Sequence, residues 1–153
     1  MIFATLTWPL FDEPAPVSMK PSKNPKVVAF AEAIYGFDGF IFVTRGFNRS
    51  ITASLKNAID PIYPPWVRKP SRVFGYGSMG GAFAIRHPRN VGVAVERAPV
   101  SSMVMLGGAD FFRVGPWGSE PLESAEPALL PATATMLDHL LRWIKATIAA
   151  KAG

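Results

Sequence analysis

The chain contains no cysteine. Disulfides, thiolate metal sites and a cysteine nucleophile are therefore excluded. Histidine is nearly as scarce: His87 and His139 stand far apart, without the paired spacing that metal sites use. Long apolar runs are missing too, because proline, glycine or charge interrupts each one before it reaches the length of a membrane span. The opening residues lack a basic region, apolar stretch and small-residue cleavage site, so a cytoplasmic protein is expected. No internal repeat, charge block or recognised nucleic-acid motif divides the sequence.

What is present is enough for one domain spanning 1–153. The chain has 153 residues, 49% hydrophobic and 18% charged, which suits a globular protein with a substantial core. The net charge is +5. Arg68, Lys69 and Arg72 form one basic cluster, and Arg86, Arg89 and Arg97 a looser second one. Neither is a long basic tract. The first reading is a solvated surface, the second attraction of an anionic small molecule such as a dinucleotide phosphate, and the last nucleic acid.

Two short apolar runs, Phe40 to Thr44 and Arg72 to Tyr76, lack polar alternation and read as strands buried on both faces. Each opens into a small or polar loop that starts a helix. The first loop is Arg45 to Ser50, leading into a helix from Ile51 to about Ile62 with Ile51, Leu55, Ala58, Ile59 and Ile62 facing inward. Pro61 disturbs that helix, so an end at Asp60 is equally compatible. The second loop is Gly77 to Gly81. In an open α/β sheet such loops lie at the carboxyl ends of the strands, where ligands bind.

Further along, Asn24-Pro25 supplies a helix start, with Val27, Phe30, Ala31 and Ile34 as its apolar stripe and Gly36 at its end. Met1 to Thr7 can form a strand, followed by a proline-rich loop from Pro9 to Pro21. Residues 82–97 predict two short helical pieces or one kinked helix, because His87-Pro88-Arg89-Asn90 and Gly92 break the pattern. Val100 to Leu106 is the last strand, and Gly107 to Pro127 reads as a loop. A final helix from Pro131 to Ala150 carries Leu137, Leu141, Ile144 and Ile148 on one face. Strands alternating with helices predict an α/β fold with a parallel sheet.

Asn48-Arg49-Ser50-Ile51, Leu55 through Asp60, Lys69-Pro70 and Tyr76 through Gly81 together resemble the NADPH-dependent FMN reductase family. Its typical segment reads TPEYN-[RG]S-I-x-x-x-LKNAID, followed by KPV, a strand and YGSxGG. Leu10-Phe11-Asp12-Glu13-Pro14 also looks like the family's LPLxDEP stretch. The likeness covers residues 8–81 and, loosely, the final helix.

The resemblance implies a flavodoxin-like three-layer sandwich, with FMN and NADPH as cofactors and a quinone, azo or similar small molecule as acceptor. Family members are commonly homodimers or homotetramers, and neither nucleic acid nor membrane is an implied partner. The loops matching Phe47, Asn48, Arg49 and Ser50, and Tyr76, Gly77, Ser78, Met79, Gly80 and Gly81, flank the flavin and meet its pyrimidine edge. No catalytic side chain is implied, since the cofactor carries the chemistry.

The sequence departs from the family in two places. Arg45, Gly46 and Phe47 replace Pro, Glu and Tyr of PEYN. The family's first strand, GSxRxxS phosphate loop and first helix have no counterpart, so the fold is expected to be shortened at its N-terminus. Either the sheet has a vacant place, or Met1 to Thr7 fills it to give four strands in simple order. The rival reading is a degenerate, non-catalytic relative that no longer holds FMN.

Two weaker patterns stay open. Gly75 to Gly80 matches the dinucleotide fingerprint G-x-G-x-x-G, although late in the chain. Ser78, Asp110 and His139 follow the order of a hydrolase triad, although Tyr76 occupies the first glycine place of G-x-S-x-G. Trp66, Trp117 and Trp143 read as packing or interface residues.

Overall fold

The computed structural model describes residues 8–152. Met1 to Thr7, and with them the expected first strand, lie outside the described residues. Three strands, β1 (Phe40–Arg45), β2 (Pro70–Tyr76) and β3 (Ala98–Leu106), form a parallel sheet in the order β1-β2-β3. The register aligns Arg45, Tyr76 and Leu106 at their carboxyl ends, so the loops that follow all open on the same side.

Helix α1 (Pro25–Tyr35) starts as its sequence dictates: the Asn24 side chain accepts from the Lys26 N–H, and Pro25 occupies the first turn. Its buried face is Val27, Phe30 and Ile34. Helix α2 (Ala53–Ile59) starts two residues after Ile51, where Thr52 caps it through the Leu55 N–H, and closes at Asp60, the end that Pro61 favours. All five expected inward residues, Ile51, Leu55, Ala58, Ile59 and Ile62, are nevertheless buried. These helices pack with Phe42 and Trp66 into the main core, and Val91 and Val95 of the α3 region (helix α3, Arg86–Ala94) close it. Trp66 is the centre of an aromatic cluster, edge-on to Phe30 and Phe40.

On the opposite face, Leu106 and Phe74 pack with Phe111 of α4 (Gly108–Val114) and Leu129 of α5 (Glu126–Ala152). Helices therefore cover both faces, giving the α/β sandwich in three layers.

Several expectations need correction. β1 is not buried on both faces: Phe42 and Thr44 are inside, while Ile41 and Val43 are exposed. Among the described residues β1 is an edge strand, and α5 packs over β2 and β3. The region expected as a loop from 107 to 127 contains α4, held by Phe111 burial and the Asp110–Arg113 ion pair. Helix α5 starts at Glu126, with Pro131 inside it, rather than at Pro131. It buries Met136 and Leu140, while Leu137, Leu141 and Ile148 face outward. Residues 79–85 form turns and α3 is one short helix, with Pro88 in its first turn where no intrahelical N–H is needed.

The basic clusters are the largest departure. Lys69, Arg72 and Arg97 are 5%, 0% and 2% exposed, so this part of the charge is not a solvated surface. Lys69 donates to the Ile34 and Tyr35 carbonyls at the end of α1, which accounts for its burial. Arg72 and Arg97 each keep two buried nitrogens without a partner, and burial lowers the pKa of both.

Candidate functional site

Three loops converge at the carboxyl ends of the strands. After β1, Phe47 and Ser50 exchange backbone hydrogen bonds at 2.9 Å in both directions, closing a two-residue turn. Its central residues, Asn48 and Arg49, have φ of 47° and 65°. Positive φ at both places defines the primed turn that suits Asn-Gly, so arginine is held there at a conformational cost. Arg49 lies over the Phe83 ring at 5.0 Å, and Arg45 over Phe47 at 5.3 Å. Ser50 Oγ approaches His87 Nδ1 at 3.5 Å, linking this turn to α3.

The second loop follows β2. Gly46 N–H donates to the Tyr76 carbonyl at 2.8 Å, which seats the first loop against the second. Gly77, Gly80 and Gly81 all have positive φ. A Cβ on Gly81 would stand 3.0 Å from Gly75 Cα and the Tyr76 N, so only glycine fits this turn without displacement.

The third loop is Gly107-Gly108, after β3. Gly77 N–H donates to Leu106 O, and Gly108 N–H to Ser78 O at 3.0 Å. This loop supports the second one and does not line the cavity; its Gly-Gly pair at a strand's carboxyl end is the only sign of it in the sequence.

The first two loops flank a cavity of about 160 Å³ lined by Gly46, Asn48, Arg49, Gly77, Ser78 and Met79 together with Gly81 to Ala84. Gly77, Gly80 and Ala82 spend their N–H groups on the protein, whereas among the described residues the Ser78, Met79 and Gly81 N–H groups find no protein acceptor. Phe47 and Met79 are exposed at the rim, 53% and 65%. Free backbone donors beside exposed apolar side chains match a flat aromatic molecule with a polar edge.

The structure brings together both expected segments, Phe47 to Ser50 and Tyr76 to Gly81, with Phe47, Ser50, Tyr76 and Gly80 around rather than in the cavity wall. It does not assemble the hydrolase order. His139 Nδ1 meets Ser102 Oγ at 3.2 Å, and Asp110 pairs with Arg113. The dinucleotide reading fares no better, since Gly80 leads into turns and not into the N-terminus of a helix. Among the described residues no three His, Asp or Glu side chains cluster as metal ligands.

A parallel α/β sheet with glycine loops gathered at its carboxyl end belongs to the open α/β class of ligand-binding proteins, which includes the flavodoxin-like folds. The sequence model of the NADPH-dependent FMN reductases matches residues 4–110. The chain belongs to that family, whose members use FMN and NAD(P)H. It is 32% identical to an NAD(P)H-dependent FMN reductase of Nectria sp over 85 residues, 53% of this chain and 42% of that protein. It is 30% identical to a 2-hydroxy-1,4-benzoquinone reductase of Burkholderia sp over 132 residues, 81% of this chain and 70% of that protein.

Among solved structures, the flavoenzyme NAD(P)H:(acceptor) oxidoreductase FerB of Paracoccus denitrificans shares the fold. Its TM-score is 0.63 at 21% identity, covering 95% of this chain and 78% of that one. The chain spans less than half the length of the fungal FMN reductases it matches. No helix among the described residues is long and apolar enough to cross a membrane.

Proposed function

We propose that residues 1–153 act as one cytoplasmic flavin-dependent NAD(P)H oxidoreductase domain with a quinone, azo or similar small acceptor. The observation that carries this reading is the set of N–H groups at Ser78, Met79 and Gly81 without a protein acceptor, on residues that line one cavity with Asn48 and Arg49. Those amides and the Cβ-free backbone fit the polar edge of a flavin ring, and Phe47 and Met79 fit its apolar face. Bound FMN would supply the redox chemistry, taking hydride from the nicotinamide and passing two electrons to the acceptor.

The chain's own task is to orient and to exclude water. Gly46 and Tyr76 fix the spacing of the two loops, and Arg49 contributes positive charge beside the cavity. No side chain is required as an acid or base. Assembly into dimers or tetramers belongs to the same proposal.

The competing reading is a relative that keeps the scaffold without the cofactor. Its support is the 160 Å³ cavity, which holds a ring edge rather than a whole flavin nucleotide. A visible absorption spectrum before and after addition of FMN and desalting separates the two. Retained flavin that NADPH bleaches under argon, and that a quinone restores, supports the enzyme. A folded protein that emerges colourless rejects it.

A further inference from the structure

Among the described residues, four that are not glycine hold positive φ, and they come in two pairs. Asn48 and Arg49 shape the loop after β1. The second pair, Arg68 (57°) and Glu96 (52°), sits at the opposite end of the sheet, in the connections that enter β2 and β3. Arg68 N–H donates to the Glu96 carbonyl at 2.9 Å, so the two strained residues brace each other. Strain of this kind persists where the surrounding structure enforces it, and it gathers at ligand sites.

A cavity of about 570 Å³ opens there, between these connections and the last turn of α5. Its walls include Arg68, Val93, Glu96, Arg97, Thr147 and Lys151. The lining holds three cations and one carboxylate, and that carboxylate already accepts a hydrogen bond from the Tyr63 hydroxyl at 2.6 Å. The ion pairs of the described chain involve Lys56, Arg113 and Arg142, and none involves Arg68, Arg97 or Lys151. The Lys69 ammonium lies buried close by; burial and then the charge of Lys151 lower its pKa, and Asp38 opposes them.

Arg97 is the second, independent observation. It is 2% exposed, with one nitrogen donating to the Pro88 carbonyl and its guanidinium stacked on Phe42 at 4.3 Å. Nε and Nη1 remain buried and without a partner. A buried guanidinium with no counter-charge is costly, and solvation does not offset that cost here. The cations at this end of the sheet, Arg68, Lys69, Arg97 and Lys151, outnumber the carboxylates near them, Glu96 in the cavity and Asp38 beside Lys69.

We infer that this cavity binds a phosphate group carried by a small soluble molecule, with Arg68 and Lys151 as direct ligands and Arg97 as the buried charge behind them. Arginine offers a planar fork that matches phosphate oxygens, and lysine a mobile point charge. The volume exceeds that of a bare phosphate and leaves room for an organic portion of the ligand. The site lies at the amino ends of the strands and does not depend on the flavin reading.

Calorimetric titration of the full chain with pyrophosphate, at fixed ionic strength, tests the inference. Saturable binding is expected, weakened at least tenfold in the Arg68→Ala/Lys151→Ala double variant. Both side chains are exposed, so the variant's melting temperature without ligand should match the parent. Arg142→Ala removes an exposed cation paired with Asp138 on α5 and should leave the affinity unchanged. Absence of binding, equal affinity in the double variant, or capture by phosphatidic acid vesicles with no response to pyrophosphate would each overturn the proposal. FMN titration of the same variant should match the parent; a parallel loss of flavin affinity would mean that the two ends are not separate sites.

Discussion

Gly107 packs directly on Gly80: a Cβ built on Gly107 would meet the Gly80 N and stand 2.7 Å from Gly80 Cα. Both contacts are to backbone, so no side-chain rotation relieves them. The φ of Gly107 is ordinary for any residue, which makes the constraint purely steric. Gly107→Ala is therefore expected to push the 77–81 loop away from the 107–108 loop. Stability should fall by about 1–3 kcal/mol, as overpacking does, and FMN affinity by at least tenfold. Urea unfolding and flavin fluorescence titration read the two effects; an unchanged loop would leave both at parental values.

Arg49 makes the opposite prediction for stability. It occupies the second central place of a primed turn at φ 65°, where glycine is at ease and a side chain is not. Arg49→Gly should stabilise the fold by about 0.5–1 kcal/mol, since relief of the left-handed backbone outweighs the loss of an exposed cation–π contact with Phe83. The melting temperature should rise by about 2–4 °C. If the side chain serves the cavity it lines, FMN affinity falls in the same variant. A stabler protein with weaker flavin binding is the expected combination.

Much of this architecture is written locally. Asn24-Pro25 at the head of α1 and Thr52 before α2 state their helix starts in cap chemistry alone. Asn57 of the LKNAID segment was legible only as a resemblance, yet its role is structural: its side chain donates to Pro9 O and accepts from the Phe11 N–H, both at 2.8 Å. The burial of Arg97 could not be read, because nothing adjacent to it in sequence reveals that Phe42, fifty-five places earlier, receives its guanidinium. Helix α4 was hidden for a related reason. Its glycine-rich flanks look like loop, and Phe111 becomes helical through burial against Leu106 and Ala125.

The buried guanidinium carries a pH signature. Burial pulls the Arg97 guanidinium down from its ordinary value to about 10. A base whose folded pKa is depressed binds fewer protons in the folded state, so it costs stability below pH 10 and releases that cost as the pH rises from 10 toward the ordinary arginine value. That depression corresponds to about 3 kcal/mol. Arg97→Met forfeits the Pro88 hydrogen bond, about 1 kcal/mol, and the stacking on Phe42, also about 1 kcal/mol. In phosphate-free buffer at pH 8 the variant should therefore be about 1 kcal/mol more stable than the parent. The gap should shrink as the pH rises above 10. Urea unfolding at pH 8 and pH 11 measures it, and a parent more stable at both values contradicts the buried-charge account.

Neighbouring leucines on α5 test which face of that helix points inward. Leu140 is 6% exposed and Leu141 57%. The amphipathic pattern alone favoured Leu141, because Leu137, Leu141, Ile144 and Ile148 align at helical spacing. The fold favours Leu140, because His139 beside it reaches Ser102 and Met136 one turn earlier is buried. Leu140→Ala should cost about 2–5 kcal/mol by leaving a cavity under the sheet face. Leu141→Ala, on the open side, should stay within about 0.5 kcal/mol of the parent in dilute solution. A concentration-dependent loss in Leu141→Ala would instead mean that a second molecule covers this stripe, together with the exposed Ile41 and Val43 of β1. Unfolding curves at two protein concentrations distinguish a solvent-facing leucine from an assembly surface.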